Sequence, residues 1–306
     1  MPTSEVFESS VVYAKELDLT LELIREWIDS SDQVMRQYLR WQFLGRSKYY
    51  RPFTIFACHR AVSSKRIDEE LIRIAAVIEL FHNMSLIVDD ILDRSRTRRN
   101  RQSLHCRFGF LPALMTAGFI TASGFRLISD SPFAIRCLSE LVERLGIAEC
   151  VQWRLRRQPL GVEDWRSIAG EDTGSMFEIC ACLGARSESF RRFGNLLGIL
   201  YHGCDDVCDL QHNEALDGGG EEDVRDGILT LPVAIAIRDP AVAVRFRTGS
   251  NKDKMLITSN LRAALPDASA YLDSIAAEAR SEASKISLNT KPLIELVNYT
   301  RSLTSI

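Results

Sequence analysis

A chain of 306 residues and 34.5 kDa has room for one large domain or two ordinary ones, and 46% apolar content is enough for a sizeable core. A net charge of −3 and an isoelectric point near 6.0 remove the global electrostatic case for nucleic acid as a partner. No uninterrupted apolar run approaches the roughly 20 residues that span a bilayer. The opening residues, Met1 to Val6, lack a basic and an apolar signal region, so the expectation is a cytoplasmic protein with no stable membrane insertion.

The apolar periodicity is helical almost throughout. The spacing predicts helices over 7–29, where Val11, Leu17, Leu21, Ile24 and Trp27 recur at helical intervals, then over 33–43, 52–63 and 68–93. Further helices are predicted over 110–128, 134–157, 165–183, 187–212, 223–237, 252–264, 268–286 and 291–304. Prolines punctuate the pattern, among them Pro52, Pro112, Pro132, Pro232 and Pro266, and Asp164 and Asp267 read as N-caps. No alternating strand run of useful length occurs, and the clear flexible loop is 213–222, with Gly218, Gly219 and Gly220 at its centre. The eight cysteines, Cys58, Cys106, Cys137, Cys150, Cys180, Cys182, Cys204 and Cys208, form no CxxC pair. They read as small buried hydrophobes in a reducing compartment, although Cys204 and Cys208, one turn apart with His202 close by, leave a soft-metal site conceivable.

Two predicted helices end in the same acidic pattern, Asp89-Asp90-Ile91-Leu92-Asp93 and Asp205-Asp206-Val207-Cys208-Asp209. At 3.6 residues per turn Asp89 shares a face with Asp93, and Asp205 with Asp209. One acidic triplet at a helix end is ordinarily a solvated surface feature. Two with identical spacing, each behind an apolar run, point to divalent cations, because clustered carboxylates repel and are costly to bury unpaired. Hard oxygen ligands favour Mg²⁺, which keeps several waters and shares itself with substrate phosphates. Directly after the first cluster stand Arg94, Arg96, Arg98, Arg99 and Arg101, which suit a polyanion such as a diphosphate, since arginine stays charged and binds phosphate oxygens bidentately. Lys48 and Arg51 precede a predicted helix start and could grip a second phosphate. His82 lies two turns before Asp89 on the same face, where a core histidine and a functional one are equally reasonable readings.

These motifs resemble, in order, those of the trans-isoprenyl diphosphate synthases, the polyprenyl synthetase family. The likeness runs through Ser47 to Pro52 (GKxxRP), His82 to Asp93 (HxxSLxxDDxxD), Arg98-Arg99 (RRG), Glu149 to Gln152, Asp172 to Phe177 (KTGxLF), Asp205 to Asp209 and Asp223 to Pro232 (DxxxGKxTLP). The resemblance implies an all-α fold, a single isoprenoid synthase-type domain over residues 1–306, a helical bundle around a central cavity faced by both acidic helices. It implies a homodimer and Mg²⁺, three ions per site. Asp89, Asp93 and Asp205 would be the main metal ligands, Asp90 and Asp209 would support them, and all six aspartates, Asp206 included, are candidate catalytic residues. Arg98 would contact an allylic diphosphate, and Lys48, Arg51, His82 and Arg99 would bind isopentenyl diphosphate. The implied reaction is ionisation of the allylic diphosphate and attack by the second alkene, with rings such as Phe81, Phe177 and Tyr201 facing the cation. Bulk at Met84 and Phe81, five and eight positions before Asp89, would set a C15 to C20 product.

The chain departs from the family pattern where cations are expected. The lysine of KT is Asp172 and that of GK is Ile228; Asn100 and Gln102 alter RRGxP, and Tyr201-His202 stands for an FQ pair. Each lost charge-assisted contact is worth on the order of 1.5–3 kcal/mol. Arg225, one turn before Ile228, is the candidate substitute. The losses leave two alternatives to elongation: a terpene cyclase on the same scaffold, ionising one prenyl diphosphate, and a regulatory subunit of a heteromer, against which the intact acidic clusters argue.

Overall fold

The structure, a computed structural model, describes residues 12–43, 49–99, 101–211, 226–249 and 254–304; Lys48, Arg225 and the expected loop 213–222 lie outside the described residues. The chain divides into two compact units, Met1–Cys137 with Leu183–Arg186, and Leu138–Cys182 with Ser187–Ile306.

In the first unit α1 (Ala14–Ser30), α2 (Gln33–Phe43), α3 (Tyr50–Val62), α4 (Glu69–Leu92), the short α5 (Leu104–Phe108), α6 (Phe110–Leu127) and the start of α7 (Pro132–Leu155) follow one another. Helix α4 is the core. Asp68 caps it, accepting the Leu71 N–H at 2.9 Å, and Glu69 and Glu70 suit the positive end of the helix dipole. Its apolar residues from Leu71 to Met84 are buried on all sides, which is why this stretch reads as a near-continuous apolar run. Phe81 is fully enclosed: its ring meets the Phe125 ring edge-on at 5.2 Å, and a side chain at Gly124 would collide with it. The polar side chains buried on this helix are Glu79, His82, Asn83 and Asp90. Burying four of them in one core helix is costly unless each has a task.

In the second unit, the rest of α7 is followed by α8 (Val162–Glu171), α9 (Thr173–Ala185), a 3₁₀ turn at Glu188–Phe190 and α10 (Arg191–Gln211). After them come α11 (Leu231–Ala236), α12 (Pro240–Thr248), α13 (Lys254–Ala263), α14 (Leu265–Ile286) and α15 (Lys291–Ser302). Helix α10 packs on α14, α15 and α8. Arg144 and Arg191 both bind the buried Glu178, at 3.0 and 2.6 Å, and tie α7, α9 and α10 together.

The helical class agrees with the sequence, and several boundaries do not. The predicted helix 165–183 is two helices broken at Asp172, whose ψ of −90° leaves the helical region. The described part of the segment 223–237 is helical at Asp226 and over Leu231–Ala236, interrupted where Gly227 takes φ +76° and Pro232 has no N–H to continue a helix upstream. Helix α12 was not predicted, although Asp239 caps it, Pro240 opens it and Gly249 ends it at φ +64°; Val242 and Phe246 alone are buried, too few to register as a period. Asp164 is not the N-cap of α8 but stands in its first turn, accepting the Gly161 N–H at 3.0 Å, and Asp267 likewise lies inside the first turn of α14. A two-residue antiparallel ladder, Thr97–Arg98 (β1) with Arg101–Gln102 (β2), is too short to show strand alternation in the sequence.

By length and composition two helices, Glu69–Leu92 and Phe110–Leu127, could cross a membrane, against the expectation from uninterrupted runs; the first is a packed core helix, 78% buried over its apolar window. All eight cysteines are free, with Cys106 and Cys150 exposed and the others buried. Among the described residues no group of three metal-ligating side chains includes Cys204 and Cys208: burial pushes the Cys204 thiol far up, and Cys208 donates to the Leu303 carbonyl at 3.2 Å.

Candidate active site

The C-terminal end of α4 carries the first acidic cluster. Asp89 and Asp93 are half-buried one turn apart, Asp93 closing the helix through its N–H to the Asp89 carbonyl at 2.8 Å. Asp90 turns the other way. It is 2% exposed, and its Oδ1 accepts Nε and a terminal nitrogen of Arg98 at 2.9 and 2.8 Å. Burial pushes its carboxyl up, and Arg98 opposes that shift. The β1–β2 turn makes this pairing possible: Arg99 adopts φ +51°, the chain reverses, and Arg98 falls back over the helix end. The hairpin is pinned at Trp41, whose indole N–H donates to the Gln102 carbonyl at 3.0 Å and whose ring carries the Arg101 guanidinium at 3.9 Å.

His82 sits deeper on α4. Its Nδ1 is buried without a hydrogen-bond partner among the described residues. Burial, then the charges of Arg51, Arg99 and Arg98, hold its imidazole well below the ordinary 6.5, so it is neutral. Residues from three sequence segments, Arg51, His82 and Arg98-Arg99, thus act on one another. An anion bound among them would meet three fixed charges and one neutral ring nitrogen. A depressed histidine pKa means that the unfolded chain takes up a proton the folded one refuses. Its contribution is complete above about pH 6.5 and declines below it, by up to about 1.4 kcal/mol per pH unit. Stability of the parent protein is expected to fall between pH 6.5 and 5.5 more steeply than that of His82→Asn in urea titrations; parallel slopes would exclude a neutral buried His82.

The second cluster lies near the C-terminal end of α10. Asp205 and Asp209 are half-buried, whereas Asp206 is buried, and its Oδ2 accepts the Trp165 indole N–H at 2.8 Å and the Leu231 N–H at 2.7 Å. Burial raises its carboxyl pKa, opposed by His202 and those two donors. The two clusters therefore share a design: the central aspartate is consumed in holding protein, and the outer pair remains at the helix end. Neither helix has a basic residue in its last turn. Carboxylates at the negative end of a helix dipole are destabilising by about 0.3–1 kcal/mol each. Cations bound there would relieve that repulsion, and the hard oxygen donors fit Mg²⁺. Among the described residues no three His, Cys, Asp or Glu side chains form a closed cage, so each acidic pair would need water or substrate oxygens to complete a coordination shell.

Several contributors were not singled out from the sequence. Trp165 and Thr173 could not be linked to the second cluster without knowing the packing. Glu79, one turn before His82, lines a cavity of about 480 Å³ with Arg25, Tyr49, Asn83 and Arg99. Its signal was a glutamate within an apolar run, 1% exposed in the fold.

The sequence pattern of the family described as polyprenyl synthetase matches residues 32–257. The chain is 26% identical over 232 residues to the nonaprenyl diphosphate synthase of Mycobacterium tuberculosis, covering 71% of this chain and 68% of that protein. It is 27% identical over 222 residues to geranylgeranyl pyrophosphate synthase 4 of Arabidopsis thaliana, covering 65% and 59%. Its fold is similar to that of polyprenyl synthase from Caulobacter crescentus CB15 complexed with calcium and isoprenyl diphosphate, with a TM-score of 0.86, 22% identity, and coverage of 98% and 99%. Geranylgeranyl pyrophosphate synthetase from Pyrococcus horikoshii Ot3 gives a TM-score of 0.84 at 23% identity, with 98% of each chain covered. With the acidic pairs and the arginine–histidine cluster on an all-helical frame, and a family pattern spanning most of its length, the chain belongs to the polyprenyl synthetase family, a family of transferases.

Proposed function

We propose that the protein is a Mg²⁺-dependent prenyltransferase that joins an allylic diphosphate to isopentenyl diphosphate, forming a C15 to C20 isoprenyl diphosphate and releasing diphosphate. The observation that carries this reading is the convergence of Arg51, Arg98 and Arg99 on a buried neutral His82, in the same unit as the Asp89–Asp93 pair. Arg51, Arg99 and His82, with Lys48, bind and orient the isopentenyl diphosphate; Arg98 holds Asp90 in place and adds charge beside it. Asp89, Asp93, Asp205 and Asp209 hold the metal ions, three in the full complement, which neutralise the leaving diphosphate when bound. The allylic C1–O bond then breaks, the alkene of the second substrate forms a bond to C1, and a proton leaves the adjacent carbon. No side-chain nucleophile is required. The reading treats residues 1–306 as one functional domain in which both acidic pairs serve the same allylic diphosphate. Of the three rings, Tyr201 is the better candidate for the cation, being half-buried with its centroid 5.3 Å from that of Phe177; Phe81 and Phe177 are fully enclosed and serve packing first.

The test is incubation with Mg²⁺ and C10, C15 or C20 allylic diphosphates, with and without isopentenyl diphosphate. Product only with isopentenyl diphosphate is expected. Hydrocarbon or alcohol from the allylic substrate alone would replace this reading by cyclisation, which the aspartate at position 172 favours, and no turnover would favour a regulatory subunit. In the same assay Met84→Ala is expected to lengthen the product by at least one C5 unit, Met84 being 9% exposed on α4 five positions before Asp89; an unchanged length would remove Met84 as the floor.

We also propose a homodimer formed through α6, working in a reducing cytoplasm that suits eight free thiols. Phe110, Leu111, Leu114 and Met115 are 41–64% exposed on one side of α6, and Gly118 meets no other group there. Such an apolar stripe marks an interface. Size-exclusion chromatography with light scattering should return a dimer for the parent and a monomer for the double variant Leu114→Lys, Met115→Lys.

A further inference from the structure

The second unit holds a side-chain cluster that the reading above leaves unused. Asp172 is the one-residue break between α8 and α9, and Thr173 opens α9. Thr173 Oγ1 lies 2.8 Å from Nδ1 of His202, and Asp172 Oδ2 lies 3.5 Å from the same nitrogen. The backbone brings them there. Gly174 and Gly198 meet without side chains between them; a Cβ on Gly198 would stand 2.6 Å from the Gly174 Cα. His202, one turn beyond Gly198 on α10, is thereby placed against the start of α9. Its Nε2 sits 3.8 Å from Asp206 Oδ1, at the edge of the second acidic cluster, and the side chain is 19% exposed. Among the described residues the Asp172 and Asp206 carboxylates face the ring.

The family pattern has lysine where this chain has Asp172 and glutamine where it has His202. Exchanging lysine for aspartate moves the local charge by two units towards repelling a diphosphate. An isolated carboxylate there would oppose anion binding, but this one is beside an imidazole. We propose that Asp172 and His202 replace the lysine as one unit: Asp172 and Thr173 accept Nδ1–H of a ring that is protonated between the Asp172 and Asp206 carboxylates, and His202 donates Nε2–H to a phosphate oxygen of the allylic diphosphate. The two departures are then a single coupled substitution, with His202 the binding residue and Asp172 the positioning residue. Which ring nitrogen faces the ligand is set by what the other one holds. This inference rests on the prenyl-transfer reading.

Calorimetric binding of a non-ionising C10 allylic thiodiphosphate with Mg²⁺ tests it on four proteins: parent, Asp172→Lys, His202→Gln, and the double variant that restores the family pair. Each single variant is expected to bind about tenfold or more weakly, and the double variant within about threefold of the parent. Affinity for isopentenyl diphosphate should stay unchanged in all four. A double variant as weak as the product of the singles would overturn the inference, as would loss of isopentenyl diphosphate affinity in step. Should Asp172→Lys misfold, the isosteric Asp172→Asn carries the test: at least about threefold weakening is expected, and parental affinity overturns the pairing. A parent that binds the analogue while His202→Gln matches it removes this inference alone. A parent that binds no analogue removes the prenyl-transfer reading with it.

Discussion

Asp89→Ala and Asp205→Ala are each expected to lower kcat about 10²–10³-fold, equivalent to roughly 2.7–4 kcal/mol of lost transition-state stabilisation, without unfolding the protein. Each removes the first carboxylate of an outer i, i+4 pair, so the leaving diphosphate would lose a point of charge neutralisation when its negative charge is greatest. Both residues are half-buried near helix C-termini that have no basic residue in the last turn, where a bound cation would offset the helix dipole. Steady-state kinetics at saturating Mg²⁺ decide it, with circular dichroism to show that each variant is folded; a kcat within tenfold of the parent for both variants would refute the metal-pair assignment.

Asp206→Ala is expected to do the reverse, lowering stability by about 3 kcal/mol. Asp206 is buried and is the acceptor for both the Trp165 indole and the Leu231 N–H. Alanine would leave two donors without that acceptor, each costing about 1–3 kcal/mol. It would also detach α8 and the N-terminus of α11 from α10. Asp206→Asn keeps one acceptor oxygen and should cost less than half as much. Urea titration provides the measurement, and a loss below about 1 kcal/mol for Asp206→Ala would contradict the bonding described. The same residue type in the same five-residue motif is thus assigned opposite duties, because the central side chain is buried and its neighbours are half-buried.

The helical class and the family were legible because they rest on local signals. Helix α4 announces itself by an apolar run from Ala75 to Val88, and the i, i+4 geometry of Asp89 and Asp93 follows from helical pitch alone. The breaks at Asp172 and at Gly227 were not legible. A one-residue interruption leaves the hydrophobic period nearly intact, and whether a proline stops or starts a helix depends on what its neighbours bond. The two-residue β1–β2 ladder was too short to show alternation, yet it carries Arg98 to Asp90.

By itself the sequence determined which chemistry is available: two acidic pairs, an arginine-rich turn, a histidine on a buried helix face, and cations missing at positions 172 and 228. Only tertiary packing decided which of those groups meet and which are spent on structure. Asp90 and Asp206 were indistinguishable from their neighbours until their partners Arg98, Trp165 and Leu231 were in place. Asp172 looked like an unbalanced negative charge until the Gly174–Gly198 contact set His202 beside it. The physical reason is one of range: periodicity, caps and turns act over a few residues, while burial, charge neutralisation and hydrogen-bond partnership depend on groups tens of residues away.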